Sequence, residues 1–505
     1  MSSESPGLDL HELVHALKPR EKRYFRLYTG QAAGVSGEGG PKAAPNYLKL
    51  YAAVQAMPAW SEDALRATFG DAPFLRQPNV ACNYLYDLLL GALRAYDQDK
   101  TFHSEGHRRL DEIVLLFQRK LYAACLRRIR LGLKFASQLD LPQLHLELLQ
   151  WELRLLRQFP GRQTWTRSLE AIAECDARTA QLSKEKVLYG LYSRLFLLAT
   201  RPSTETHADR SALIADIAAH PSLQAPPDGL AFDGQMLHHL IHSLLAHLAE
   251  DSQRYARAHA DMLECWEANP RRIAFEEERY LKTLIGFVES AVETAMLELV
   301  PGVIAKMRRL CQRSPVLEAG YGLLVRNMEL RLFLNSKAFE KAMHCADEMR
   351  DYLDRHTDKT PPPGLVAGCT NAALVHFLME SWQGCLEWLG RLDPVLRGGL
   401  RKEVALWVGP LRIVALYAAN RLDELEKAVR TWRRNPDAGL VGPLIADAFT
   451  ALDRCNSDQE ERQALEQLRQ AVISHSGSAP VLGLVENWVT SRLKRAPLRN
   501  FYQPR

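Results

Sequence analysis

Paired cysteines and long apolar runs are absent from this sequence. Its 505 residues include nine cysteines, none in a C-x-x-C pair, so zinc-ribbon and thioredoxin-type sites have no support. The cysteines lie singly among Ala and Leu, as expected for small buried side chains in a reducing compartment. No apolar run approaches the length that crosses a bilayer, and the start, MSSESPGLDL, does not resemble a signal peptide. We therefore expect a cytoplasmic protein with no membrane partner.

A large excess of one charge is also missing. The chain has 64 Lys and Arg against 60 Asp and Glu, which gives a net charge of +4. This balance argues against a protein that coats nucleic acid without specificity. The phosphate-binding pattern G-x-x-x-x-G-K-[ST] and the nucleophile pattern G-x-S-x-G are both absent. We expect no catalytic activity and no cofactor.

Helical periodicity is present along almost the whole chain. Apolar residues recur at intervals of three and four, and convincing period-two strands are missing, so the sequence predicts an all-α protein. A bulky residue followed three positions later by a small or aliphatic one recurs at seven places: Tyr122/Cys125, Trp165/Ser168, Tyr255/Ala258, Val300/Val303, Phe339/Ala342, Trp382/Cys385 and Leu422/Leu425. We interpret each bulky residue as the start of the second helix in a hairpin, where the small residue allows close helix approach. The spacing indicates a repeat of about 39–45 residues, with a degenerate unit near Arg210.

The chain divides into three predicted parts. Residues 1–112 form an N-terminal helical domain with a flexible Gly/Pro-rich loop at 30–45. Residues 113–494 form an α-solenoid of about eight or nine helix hairpins. Residues 495–505 are basic and are expected to be a frayed tail. The N-terminal helices are predicted at Leu8–Tyr28 (interrupted at Pro19), Tyr47–Met57, Ser61–Phe69 and Pro78–Tyr96.

Two groups of residues resemble known helical-repeat proteins. The segment Lys337–Ala342, KAFEKA, looks like the turn and second helix of a tetratricopeptide repeat, although the units here exceed the usual ~34 residues. The N-terminal block has Leu17-Lys18 before EKRYF, then YLKLY at 47–51 and NYLY at 83–86 with Leu93-Arg94. This block resembles an uncharacterised bacterial family of tetratricopeptide-like helical-repeat proteins. The resemblance implies a fold of tetratricopeptide-like hairpins and brings no activity with it.

The candidate peptide groove rests on two asparagines. Asn327 and Asn371 occupy nearly equivalent places on the first helices of successive hairpins, which line the concave side of a solenoid. Two amides one repeat apart could hold a peptide backbone, and Arg326, Arg331 and Arg412 would add positive charge. This pattern predicts a non-catalytic scaffold or adaptor that binds a protein or peptide. The alternative is that the asparagines face water, and the sequence leaves open whether the tail at 498–505 fills the groove.

A basic stripe supports a second hypothesis, a nucleic-acid-binding regulator. Six cations lie between Ile113 and Leu139, where Asp and Glu are absent: Arg119, Lys120, Arg127, Arg128, Arg130 and Lys134. They could meet phosphates or an acidic protein surface, or be neutralised by Glu from a neighbouring helix. The N-terminal helices resemble those of some helix-turn-helix regulators, with Asn79, Asn83 and Tyr84 directed outwards.

A histidine cluster supports a weaker third hypothesis, a metal site or enzyme. His238 and His242 are four residues apart, which suits two imidazoles on one ion. No Cys or carboxylate follows at ligand spacing within that helix. The alternative is an amphipathic helix with an apolar face at Leu237, Ile241 and Leu244 and with the histidines in water.

Overall fold

The computed structural model describes residues 6–32, 45–70, 72–96, 101–200, 207–224, 229–291, 294, 296–356, 362–394, 402–435, 441–474 and 481–503. Within these ranges the regular structure is entirely helical, which confirms the all-α prediction. The chain forms two compact units, Met1–Ser183 and Lys184–Arg505. The division falls inside one long helix, and the boundary predicted at 112/113 also falls inside a helix, Phe102–Gln118.

The first unit begins with five helices around one core. The helices wholly within the unit are α1 (Pro6–Ala16), α2 (Pro19–Ala32), α3 (Asn46–Ala56), α4 (Glu62–Phe69), α5 (Pro78–Tyr96), α6 (Phe102–Gln118), α7 (Tyr122–Gln138) and α8 (Pro142–Leu156). Leu10, Phe25, Tyr51 and Leu85 meet in the core of the first five. Ser61 caps α4 by accepting a hydrogen bond from the Ala64 amide at 3.2 Å. The four predicted N-terminal helices are therefore confirmed, whereas most of the predicted loop at 30–45 lies outside the described residues.

The second unit contains the remaining helices. After α9 (Arg162–Thr200), which extends from one unit into the other, they are α10 (His207–Ala218), α11 (Pro221–Gln224), α12 (Phe232–Leu248), α13 (Ser252–Glu267), α14 (Pro270–Ile273), α15 (Glu277–Ala291), α16 (Val300–Arg313), α17 (Pro315–Asn335), α18 (Phe339–His356), α19 (Pro362–Leu378), α20 (Trp382–Gly390), α21 (Lys402–Ala418), α22 (Leu422–Arg433), α23 (Val441–Asp453), α24 (Asp458–Ser474) and α25 (Val481–Lys494). Short 3₁₀ helices lie at Pro73–Leu75, Leu297–Leu299 and Leu498–Phe501. Successive helices pack against each other, and the short connections between them make the pairs antiparallel.

The predicted starts of second helices are largely confirmed. Five helices begin at the bulky residue itself: Tyr122, Val300, Phe339, Trp382 and Leu422. The residue three positions later is buried in each case, at Cys125, Val303, Ala342, Cys385 and Leu425. A small or medium side chain at that position allows the two helices of the hairpin to approach closely. The arrangement of the hairpins as a solenoid stays a prediction.

One turn recurs between the paired helices. Six residues other than glycine have a φ of 51° to 59° and lie two positions before the next helix: Lys120, Asp140, Glu250, Lys337, Glu380 and Asn420. The following amide bonds back to the carbonyl five residues earlier, as in Ala338 N to Phe333 O at 2.8 Å and Ser381 N to His376 O at 2.8 Å. This is the Schellman arrangement, which satisfies carbonyl groups at the end of the first helix.

The end of the chain differs from the prediction. A frayed tail was expected at 495–505, but Leu498–Phe501 is a 3₁₀ helix and Leu498 is fully buried. The Leu498 amide donates to Glu380 Oε1 at 2.8 Å. Arg499 also pairs with Glu340 at 3.0 Å.

Candidate functional site

The candidate site is a cleft in the second unit, here called the polar cleft. It has a volume of about 730 Å³. Its lining residues come from four helices and the end of the chain: Arg331, Leu334, Asn335, Asn371, Leu374, Trp407, Gly483, Leu484, Glu486, Asn487, Phe501, Tyr502 and Gln503. The helices are α17, α19, α21 and α25, so three first helices of successive hairpins share one face with the C-terminal helix.

Asn327 and Asn371 are brought together as predicted, but in an unexpected way. The Asn371 side-chain amide donates to Asn327 Oδ1 at 2.9 Å. Asn327 is only 4% exposed, so its side chain serves to position Asn371. Asn371 is half-buried and lines the polar cleft. Only one of the two predicted amides is therefore accessible to a ligand.

The three candidate arginines fall in three different surroundings. Arg331 is half-buried in the polar cleft and forms no ion pair within the described residues. Arg326 binds Glu318 at 2.8 Å, and its guanidinium lies 5.0 Å from the centre of the Tyr352 ring. Arg412 binds Asp393 at 2.6 Å and lines a different groove, beside Trp432. The predicted peptide groove therefore keeps Arg331 but not Arg326 or Arg412.

One wall of the polar cleft is the chain's own C-terminal segment. The Phe339 and Tyr502 rings have their centres 6.2 Å apart, and Lys494 Nζ lies 5.6 Å from the centre of the Phe501 ring. Burial raises the pKa of the Tyr502 hydroxyl. Because Leu498 is anchored below them, these side chains are held against the helices.

Several residues of the polar cleft were not predicted from the sequence. Trp407 lies on α21, the next first helix after that of Asn371. It precedes the second helix at Leu422 by 15 residues, about one turn more than the 11 or 12 of the two asparagines, so the repeat spacing points to this helix but not to this residue. Asn487 and Gln503 reach the cleft only because α25 and the tail pack on the earlier hairpins. No local pattern in the sequence predicts that contact.

Four residues of the basic stripe lie on the exposed side of α7: Arg127, Arg128, Arg130 and Lys134. Arg119 and Lys120 lie in the turn between α6 and α7. Cys125 and Ile129 are buried on the opposite side of α7. Arg128 pairs with Glu112 at 3.4 Å, and Arg119 donates to its own helix at Leu115 O. The remaining cations are exposed and form no ion pair within the described part of the chain: Lys120, Arg127, Arg130 and Lys134.

The histidine cluster is more buried than expected. Both sides of α12 are covered, because Met236 belongs to one core and Ile241 to another. His238 is therefore buried, and the expectation that it faces water is wrong. The His238 and His242 ring centres are 4.6 Å apart. Among the described residues, no group of three or more His, Cys, Asp or Glu side chains is placed to hold a metal ion.

A further histidine in this region was not predicted. His259 on α13 lies 3.1 Å from the Ser243 hydroxyl through its Nε2 atom. A Cβ atom at Gly286 would lie only 2.6 Å from His259 Cε1, so the imidazole fills the space above that glycine. Burial lowers the pKa of His259 to about 4. The imidazole is consequently neutral at physiological pH.

Helix α1 contains a metal-binding pattern that was not among the predicted metal candidates. His11 to His15 reads HELVH, the H-E-x-x-H spacing in which two histidines on one helix hold zinc. His11 Nε2 lies 3.1 Å from Met57 O, and His15 Nε2 lies 3.3 Å from Val54 O. A ring nitrogen that faces a carbonyl oxygen must carry its proton, so neither Nε2 offers a lone pair to a metal. The pair instead binds the C-terminal end of α3.

Comparison with known proteins adds no identification. No protein-family model matches this chain, and no curated protein matches it. In the described ranges, no helix combines the length and the apolar character needed to span a membrane.

Proposed function

We propose that this protein is a non-catalytic scaffold or adaptor that binds a peptide segment of a partner protein in the polar cleft. The observation that carries this proposal is the half-buried guanidinium of Arg331, which has no ion pair in the described residues and shares the cleft with the amide of Asn371. Two carboxylates lie in this region: Glu289 interacts electrostatically with Arg331, and Glu486 lines the same cleft. Neither forms an ion pair with Arg331 within the described residues, so the partly desolvated guanidinium keeps hydrogen-bond donors for an anionic ligand.

The lining of the cleft suits a peptide. Four side-chain amides are present: Asn335, Asn371, Asn487 and Gln503. Each amide can donate and accept, so together they match the alternating N–H and C=O groups of an extended backbone. Trp407 and Leu484 supply apolar surface for a side chain of the ligand. A carboxylate of the ligand, from Asp, Glu or a chain end, would pair with Arg331.

The C-terminal segment supports the same proposal. Tyr502 has an extended backbone, with φ −71° and ψ 124°, and its ring packs on Phe339. The helices of this unit thus already hold one short segment by aromatic contacts, by an ion pair and by an amide bonded to Glu380. A partner peptide would lie beside this segment, in the space that it leaves.

Selection from a displayed random-peptide library tests the proposal. The full chain should enrich peptides that share an acidic residue or a free carboxyl end. Arg331→Ala should weaken binding of an enriched peptide by at least about tenfold, as expected for loss of a charge-assisted hydrogen bond. Arg309→Ala, an exposed arginine outside the cleft, is the matched control. Failure to enrich any sequence, or equal binding by both variants, would overturn the proposal.

The basic stripe carries the second candidate function, nucleic-acid binding. Its support is a set of exposed cations on one side of α7, Arg127, Arg130 and Lys134, which form no ion pair with the residues that the structure describes. Labelled single- and double-stranded oligonucleotides, titrated at low and moderate salt, test it because phosphate contacts weaken steeply with salt. Salt-dependent binding that is lost on triple replacement by Glu would favour this candidate, and absence of binding at low salt would remove it.

A further inference from the structure

The N-terminal half of α9 carries an exposed apolar stripe. Trp165 is 69% exposed, Leu169 is 53% exposed and Ile172 is 46% exposed. Their spacing of four and three residues places them on one side of the helix. Ala171, on the opposite side, is fully buried, and that side is tied to α8 by the ion pair of Arg167 with Glu152 at 2.7 Å. An exposed apolar stripe on an otherwise anchored helix marks an association surface.

Two charges bracket this stripe symmetrically. Arg162 and Asp176 are exposed, lie seven positions before and seven positions after Leu169, and belong to the same side of the helix. Neither forms an ion pair within the described residues. A large residue, Trp165, lies four positions before Leu169, and a small residue, Ala173, lies four positions after Leu169. If a second copy of the stripe is laid against it in the antiparallel direction, each charge therefore faces an opposite charge and each large residue faces a small one.

We propose that this stripe binds the same stripe of a second copy of the chain, with the two α9 helices antiparallel about Leu169. In this register Leu169 meets Leu169 of the partner subunit at a two-fold axis. Arg162 of each copy meets the opposite Asp176, and Trp165 of each copy covers the opposite Ala173. Such an interface is isologous, because the same patch serves both copies.

The self-complementarity favours a second copy over an unrelated partner. The two-fold axis duplicates each contact, so the dimer has two Arg162–Asp176 ion pairs and two contacts of Trp165 with Ala173. Packing large residues against small ones allows helix axes to approach to about 8–10 Å. An interface of one helix from each copy is smaller than the standard ~1,600 Å², so we expect a reversible dimer in the micromolar range.

Sedimentation equilibrium of the full chain tests the proposal. We expect a monomer–dimer equilibrium with a dissociation constant of about 1–100 μM. Leu169→Glu places two carboxylates at the axis and should weaken the dimer by at least about a hundredfold. Leu131→Glu is the matched control, since Leu131 is a similarly exposed leucine on α7 of the same unit. Circular dichroism of both variants checks that the helices remain folded.

A charge exchange separates a second copy from any other occupant. Arg162→Asp alone should weaken the dimer by about tenfold, because the introduced carboxylate would then face Asp176 of the other copy. Adding Asp176→Arg should restore the original dissociation constant, since the two charges exchange roles across the axis. A chain that stays monomeric up to about 200 μM, a dimer unaffected by Leu169→Glu, or a double variant weaker than the single one would each overturn the proposal.

Discussion

At the scale of single residues, the hairpin turns carry a backbone cost. Lys337 has a φ of 56°, a left-handed conformation that disfavours side chains with a Cβ atom. The same conformation recurs at Glu380 and Asn420. The chain tolerates it because the following amides satisfy carbonyl groups of the preceding helix. Glycine is the usual residue at such positions, so the sequence predicted the turn at Lys337 from its resemblance to a repeat but not the left-handed backbone conformation there.

Lys337→Gly should therefore stabilise the protein. Removing the Cβ atom relieves the strain of the left-handed conformation. Glycine also loses more backbone entropy on folding, which offsets part of this gain. We therefore expect the free energy of unfolding to rise by about 0.5–1 kcal/mol. Lys427→Gly, at an exposed position inside α22, should instead lose about 1 kcal/mol. Urea denaturation of both variants measures the difference. Equal destabilisation by the two would show that the turn is not strained.

His259 makes stability depend on pH. Its pKa is about 4 in the folded chain against an ordinary value of 6.5. Between about pH 6.5 and pH 4, the His259 imidazole binds a proton in the unfolded chain but stays neutral in the folded chain. The contribution of His259 to the free energy of unfolding is therefore complete above about pH 6.5 and is lost as the pH falls towards 4. The pKa is lowered because the imidazole, which extends from α13, is buried against Ser243 of α12 and Gly286 of α15.

His259→Gln should reduce this pH dependence. Glutamine can keep a hydrogen bond to Ser243 and has no proton to gain, so the loss of stability between about pH 6.5 and pH 4 should become smaller. His107→Gln, at an exposed histidine with no ion pair among the described residues, is the matched control. Denaturation midpoints at several pH values measure both variants. An identical slope in wild type and His259→Gln would contradict the buried neutral histidine.

At the scale of the helices, short-range features were predictable and long-range ones were not. The helix starts at Phe339 and Trp382 follow from a bulky residue with a small one three positions later. The polar cleft depends on contacts between distant segments, such as Leu498 with Glu380, which are 118 residues apart. Periodicity places a residue on one side of its own helix but does not say which later segment covers that side. This is why Asn371 was identified and Asn487 was missed.

The tail is accordingly expected to contribute to stability. Leu498→Ala removes a fully buried side chain and should cost about 2–4 kcal/mol. Leu422→Ala, at an exposed leucine, should cost less than about 0.5 kcal/mol. Thermal unfolding of the two variants separates an anchored tail from a frayed one. A Leu498→Ala variant as stable as wild type would mean that the segment is not docked in solution.

At the scale of the whole molecule, the proposed functions reside in different units. The stripe on α9 that includes Leu169 lies in the first unit, and the polar cleft lies in the second. Variants of one surface should therefore leave the other intact. A dimer through α9 would carry two polar clefts, one in each copy.

The central claim is that the polar cleft holds a peptide of a partner protein. Photo-crosslinking tests it most directly, using a peptide enriched from the library that carries a photoreactive phenylalanine analogue. The account predicts that the label maps by mass spectrometry to the segments around Asn371, Trp407 and Tyr502, and that Arg331→Ala reduces it. Labels that map to α6 and α7, or labelling unchanged in Arg331→Ala, would contradict the claim.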